Sequence, residues 1–123
     1  MNKSYIYYTI VFITLFIFSV SCKDTQDNGI PVISIISPLD NTEIIAGKIV
    51  EVEISAMDPN GQIESVILNI DDKERAVFNS LPYTYPWNTK IEKTGNHIIT
   101  AICIDNDDNS STVSIKVDII KGN

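Results

Sequence analysis

Between Ile33 and Ile119 apolar and polar residues take turns in short runs, and turn-forming residues separate the runs. The clearest run sets Val50, Val52, Ile54 and Ala56 at one parity and Glu51, Glu53 and Ser55 at the other. Successive side chains on a strand point to opposite faces, so this period of two predicts one face on a core and one in water. Ile33 and Ile35 begin an earlier strand, which Pro38-Leu-Asp-Asn41 breaks. After the turn Asp58-Pro-Asn-Gly61, Val66, Leu68 and Ile70 face inward; Asp71-Asp72-Lys73 then turns into a short strand around Ala76–Phe78. Tyr83, Tyr85 and Trp87 share a face in a segment with two prolines, which cannot donate to a ladder and so predict an edge strand. Ile99, Ala101 and Cys103 point inward, Asp105–Asn109 forms a loop, and Val113, Ile115, Val117 and Ile119 close the series. The expectation is an all-β fold, a sandwich of about seven antiparallel strands with no helix.

The N-terminus follows a different pattern. Tyr5–Val20 carries no charge and stands behind a single Lys3, the form of a secretory signal helix. Ser19-Val20-Ser21-Cys22 resembles the lipobox of bacterial lipoproteins, although Ser19 stands where the commonest form has Leu. The resemblance implies cleavage before Cys22 and a lipid on its thiol. The alternative is a retained membrane helix, but a span needs about 20 apolar residues and Ser4–Cys22 falls just short. More than one acyl chain on Cys22 would anchor the protein stably. Lys23–Ile30 is polar and aperiodic, a tether that reaches roughly 28 Å when extended at about 3.5 Å per residue. Its acidic and amide residues directly after the cysteine are similar to the surface-export signals of Bacteroidetes lipoproteins. The organisation expected is a signal peptide over 1–21, a tether over 22–30, one domain over 31–120 and a tail over 121–123.

The sandwich also carries a resemblance. Ile35-Ile-Ser-Pro38 with Asp40-Asn41, Ala46-Gly47 before Val50–Ile54, Asp58-Pro-Asn-Gly61 before Ile63–Val66, and Pro82–Trp87 followed by Gly95-Asn-His97 and Ala101–Asp105 are similar, in order and spacing, to the bacterial immunoglobulin-like domain. That module occurs in secreted glycosidases, adhesins and surface proteins. The resemblance implies an immunoglobulin-like β-sandwich that acts as a spacer, stabiliser or binding module and not as a catalyst.

Charge and reactive residues narrow the function. The chain has 9 Lys+Arg against 16 Asp+Glu, a net charge of −7. Nucleic acid needs a basic face and is excluded as a partner. Attachment to a membrane must come from the lipid. The sole histidine, His97, follows a turn at a strand start and reads as structural, with no catalytic residue around it. Cys103, in an apolar run, reads as a small buried hydrophobe with no disulfide partner once Cys22 is lipidated.

Two constellations remain. Asp58, Asn60, Asp105, Asp107 and Asp108, with Asn109, lie in loops that emerge at one end of such a sandwich, beside tether residues Asp24, Asp27 and Asn28. Calcium takes six to eight oxygen ligands of these kinds and could stiffen the stalk, although Asp and Asn also make good turns. Ile67, Ile98, Ile102 and Ile104 have outward parity on neighbouring strands and could form one apolar partner surface, unless Phe78 and the short strand cover it. The expected function is therefore a non-catalytic, lipid-anchored module of the cell envelope, in the outer membrane and exposed at the surface. It binds or positions a protein or glycan. A calcium-stiffened spacer is the alternative and an enzyme a distant third.

Overall fold

A computed structural model describes residues 29–123. The signal peptide, Cys22 and the tether residues Asp24, Asp27 and Asn28 lie outside the described residues. The domain holds eight strands: β1 (Val32–Ser37), β2 (Thr42–Ile45), β3 (Ile49–Met57), β4 (Ile63–Ile70), β5 (Lys73–Phe78), β6 (Thr84–Asn88), β7 (Gly95–Asp105) and β8 (Ser110–Ile120). A single 3-10 turn, Thr89–Ile91, follows β6. One sheet has the order β1-β3-β6 and the other β2-β8-β7-β4-β5.

The expectation of about seven antiparallel strands needs correction on two points. β2 is an eighth strand, and it runs parallel to β8, from Thr42↔Val117 to Ile45↔Ile120. The break at Pro38–Asn41 carries the chain from one sheet to the other. Asn41 takes positive φ there, its N–H donates to the Lys116 carbonyl, and the Asp40 carboxylate accepts from the Lys116 N–H. Those bonds set β2 beside the end of β8.

The parity expected from sequence places the core. Val52, Ile54, Val66, Leu68, Ile70, Ile99, Ala101, Cys103, Val117 and Ile119 are buried between the sheets. Each of the Val, Leu and Ile side chains contributes about 1.5–3 kcal/mol when it leaves water. β6 pairs only with β3 and is an edge, the place in a sheet that suits Pro86. Trp87 nevertheless points from it into the core. Across the open flank the rings of Phe78 and Tyr83 meet at 6.0 Å, tying the edge of one sheet to the other. The β4–β5 hairpin turns on Asp71 and Asp72, both at positive φ, which suits a two-residue loop matched to strand twist.

Candidate functional site

The outer face of the five-stranded sheet gathers most of the expected apolar patch. Directly opposed residues of antiparallel strands share a face. Thr112, Ile102, Ile67 and Val77 therefore form one row across β8, β7, β4 and β5. The next row toward the loop end holds Ser110, Ile104 and Ser65. The row on the other side holds Ser114, Thr100, Asn69 and, on β5, the exposed Glu74, with Thr100 and Ser114 hydroxyls 2.8 Å apart. Glu74, at the β5 edge, is the one charged residue among these eleven positions, in a chain that is 20% charged.

Ile67, Ile102 and Ile104 shade one another and are half-buried, whereas Val77 is 49% exposed. Ile98, 43% exposed, stands apart: Thr100 separates it from Ile102, and Lys116 is its neighbour on β8. Phe78 packs against the core and leaves the row uncovered. Sequence parity missed Val77, although Ala76 and Phe78 pointing inward imply that it points out. What was lacking was the register that sets it against Ile67.

The acidic residues come together at the end where β4 and β8 begin. The Asn106 N–H donates to the Gln62 carbonyl and the Gln62 N–H to Asn106 Oδ1, which joins the two loops. Asp105 is buried, and its carboxylate accepts from the Asp107 and Asn109 N–H groups and from Asn109 Nδ2 at 2.8–2.9 Å. Burial pushes its pKa up, but the bonds from Asn109 and Asp107 outweigh this and hold it below the usual carboxylate range. Asp105 thus organises its own loop.

Asp58 differs. Its Oδ1 accepts from the Asn60 N–H, while its Oδ2 is buried with no partner. A Cβ built on Gly61 would lie 2.7 Å from both Asp58 Oδ2 and Asn106 Oδ1, so only glycine leaves the space between them open. Asn60, Asp107 and Asp108 are exposed. Residues 58–64 and 105–109 hold five acidic side chains and no Lys or Arg.

A third cluster lies at the opposite end. His97, 7% exposed, faces the Asp71 carboxylate with Nδ1 at 2.5 Å and the Lys93 carbonyl with Nε2 at 2.7 Å. Glu92 Oε1 accepts from Trp87 Nε1 and from Arg75, each at 3.0 Å. Among the described residues, Asp71, Glu92 and His97 are the one group of His, Cys, Asp and Glu that could share a metal. Glu92 Oε1 holds Arg75 and Trp87, Asp71 Oδ1 holds the Ile98 N–H and Asp71 Oδ2 meets His97, so the cluster reads as a structural lock.

The remaining reactive groups are internal. Cys103 is wholly buried, and burial raises its thiol above the ordinary range. Tyr83 and Trp87 are buried, and Phe78 and Tyr85 are half-buried, so no described aromatic ring offers an open flat face. A groove of about 460 Å³ beside β2 has walls of Pro38, Leu39, Ile44, Ile45 and Val50, with Glu43 and Lys48 its only charged groups.

A two-sheet sandwich of this strand order is an immunoglobulin-like module. The family of bacterial Ig domains matches residues 31–101, and the chain belongs to that family. It is similar in fold to the fibronectin(III)-like modules of Clostridium thermocellum CbhA, at 24% identity and a TM-score of 0.62, over 74% of this chain and 47% of that one. It is similar also to part of the endo-β-1,4-mannanase of Thermotoga petrophila, at 23% identity and a TM-score of 0.62, over 79% of this chain and 21% of the enzyme. The PKD1 domain of Vibrio anguillarum Epp aligns at 12% identity with a TM-score of 0.51, over 75% of this chain and 95% of the domain. The chain thus spans less than half the length of the first two. No curated protein sequence matches it.

Proposed function

We propose that this protein is a non-catalytic bacterial Ig module, exported and held in the cell envelope by lipid on Cys22, which binds or positions another protein at the outer membrane. The observation that carries the reading is the uncharged row of Thr112, Ile102, Ile67 and Val77 on the outer face. Interface centres are depleted in charge, and an exposed apolar patch marks a partner surface. A glycan partner loses its support, because sugars stack on exposed flat rings and the described aromatic residues are turned inward. Pull-down from envelope extracts with the full chain tests this. The double substitution Ile67→Lys and Ile102→Lys should leave the circular-dichroism spectrum intact and reduce capture by about ten-fold or more, a loss of about 1.4 kcal/mol. Undiminished capture by a folded double variant would sink the reading.

A calcium-stiffened spacer is a second reading, favoured by one specific observation: the buried, unpartnered Asp58 Oδ2 beside Asn106 Oδ1. A buried carboxylate oxygen without a donor is costly, and a divalent cation would satisfy it. Calcium at ten times its dissociation constant would stabilise the fold by about 1.4 kcal/mol, a rise in Tm of roughly 5–10 °C. The rise should vanish in Asp58→Asn. An unchanged Tm in millimolar Ca²⁺ ends the idea.

A further inference from the structure

We infer that the apolar corner of Ile30, Val32 and Met57 rests on the lipid surface that holds Cys22, so that the module leans on one corner of its three-stranded sheet. The inference rests on the reading of Cys22 as lipid-bearing. It makes the folded domain a second membrane contact and turns the Ile102 face away from the bilayer, toward a partner.

The corner is built on β1 and β3. Val32 and Met57 oppose each other where the pair ends and are 57% and 62% exposed. Ser34 and Ser55 form the next row of the same face, and both are exposed. β6 begins at Thr84, opposite Glu53, and so stops short of both rows. Burial alternates without a break from Gly29 to Ser37, which puts Ile30, 66% exposed, on the side of Val32. Gly29 and Pro31 on either side of it are buried, and the Ser111 hydroxyl donates to the Pro31 carbonyl. Ile30 is thus held out in water by a stretch fixed to the domain.

The place of the corner selects lipid as its occupant. Residues 23–28 alone separate Cys22 from Gly29. At about 3.5 Å per residue they keep the corner within roughly 25 Å of the acylated thiol. Tethering of this kind gives a weak contact a high effective concentration, and apolar area buried at the boundary of head groups and acyl chains adds to the binding. Ile49 and Ile91 are still more exposed, but they lie at the other end of the sandwich, roughly 36 Å away along the eleven residues of β8 at about 3.3 Å each.

Charge sets the tilt. Glu51 and Glu53 lie on the same outer face farther along β3, so a flat seating would press them onto lipid. Asp58 follows Met57 directly, and residues 58–64 and 105–109 carry five acidic side chains and no base, so an upright seating would press those loops down instead. A lean onto the corner keeps both groups in water. The surface that fits is zwitterionic, since anionic head groups repel the loops.

The test uses the full lipidated chain, extracted in detergent and returned to vesicles of phosphatidylcholine and phosphatidylethanolamine. An environment-sensitive dye is attached at Ser55→Cys, beside the corner, and in a second protein at Ile91→Cys. Cys103 is buried and stays unlabelled. Phospholipid with a nitroxide near its head group should quench the dye at the Ser55 site and leave the dye at the Ile91 site bright. Ile30→Glu together with Val32→Glu should cut that quenching by about ten-fold while the protein still floats with the vesicles. Phosphatidylglycerol in the vesicles should weaken the quenching, and salt should restore it. Flotation without quenching at the Ser55 site, or equal quenching at both sites, would overturn the docked corner and leave the lipid anchor standing. Failure to float would overturn the lipid anchor, and this inference with it. Quenching that ignores the two glutamates would overturn Ile30 and Val32 as the docking residues, and quenching that ignores phosphatidylglycerol would overturn the tilt.

Discussion

Replacing Trp87 with alanine lowers the stability of the domain by about 3–5 kcal/mol, the range for removing a large aromatic from a packed core. The residue is 1% exposed, although it sits on an edge strand. Its indole packs against the residues between the sheets, its Nε1 donates to Glu92, and its ring meets that of His97 edge-on at 5.7 Å. Alanine leaves a cavity, removes one donor from Glu92 and frees one side of the imidazole. A domain of this size holds about 5–15 kcal/mol in total, so about a fifth or more of the folding free energy disappears. Urea melts followed by circular dichroism measure this. Fluorescence cannot serve, because Trp87 is the sole tryptophan. The midpoint should fall with little change in slope, and Trp87→Phe should recover part of the loss. A cost below about 1 kcal/mol would mean that the flank collapses around the missing ring and that the sandwich does not depend on its edge strand.

Trp87 also shows what the chain discloses before folding. Strict alternation in β3, β4, β7 and β8 gave the buried faces, because a one-residue slip would turn every apolar side chain to water. β2 was not legible. Its four residues hold Ile44 and Ile45 side by side, and its partner β8 lies more than seventy residues away. The outer patch was half legible for a related reason. Parity shows which residues face out, but only cross-strand register shows which of them touch. That is why Val77 joins Ile67 while Ile98 falls two residues outside the cluster. In the acidic loops, sequence showed a crowd of equivalent oxygens. The fold separates them into Asp105, bound into its own loop, and Asp58, with one oxygen left over.

His97 is the residue whose importance lay deepest. Between pH 6 and 9 the domain should lose stability as pH rises, and His97→Gln should remove most of that dependence. Both ring nitrogens of His97 face acceptors, the Asp71 carboxylate and the Lys93 carbonyl. A neutral imidazole has one N–H and can serve only one of them; the imidazolium serves both. Burial opposes the charged ring, but the Lys93 carbonyl, Asp71 and then Glu92 outweigh it and raise its pKa above the ordinary 6.5. The stability it contributes is therefore complete below about 6.5 and disappears as pH climbs through the raised value. Asp71 works from the other side. Its pKa lies below 3.8: burial pushes it up, but the Ile98 N–H, His97 and Arg75 pull it lower. Its contribution is present above about 3.8 and fades as pH falls through the lowered value. The two describe one interaction, so stability should peak between about pH 4 and 6.5. Leaving a buried partner unsatisfied costs about 1–3 kcal/mol, which sets the size of the drop on the alkaline side. Asp71→Asn should flatten the same limb, because an amide no longer favours the charged ring. Trp87 packs against this ring, so the alkaline drop should shrink in Trp87→Ala, where water reaches the imidazole. Thermal melts of the wild type and the three variants across this range check the argument. An alkaline limb that persists unchanged in His97→Gln would assign the dependence to another group and leave the histidine as packing alone.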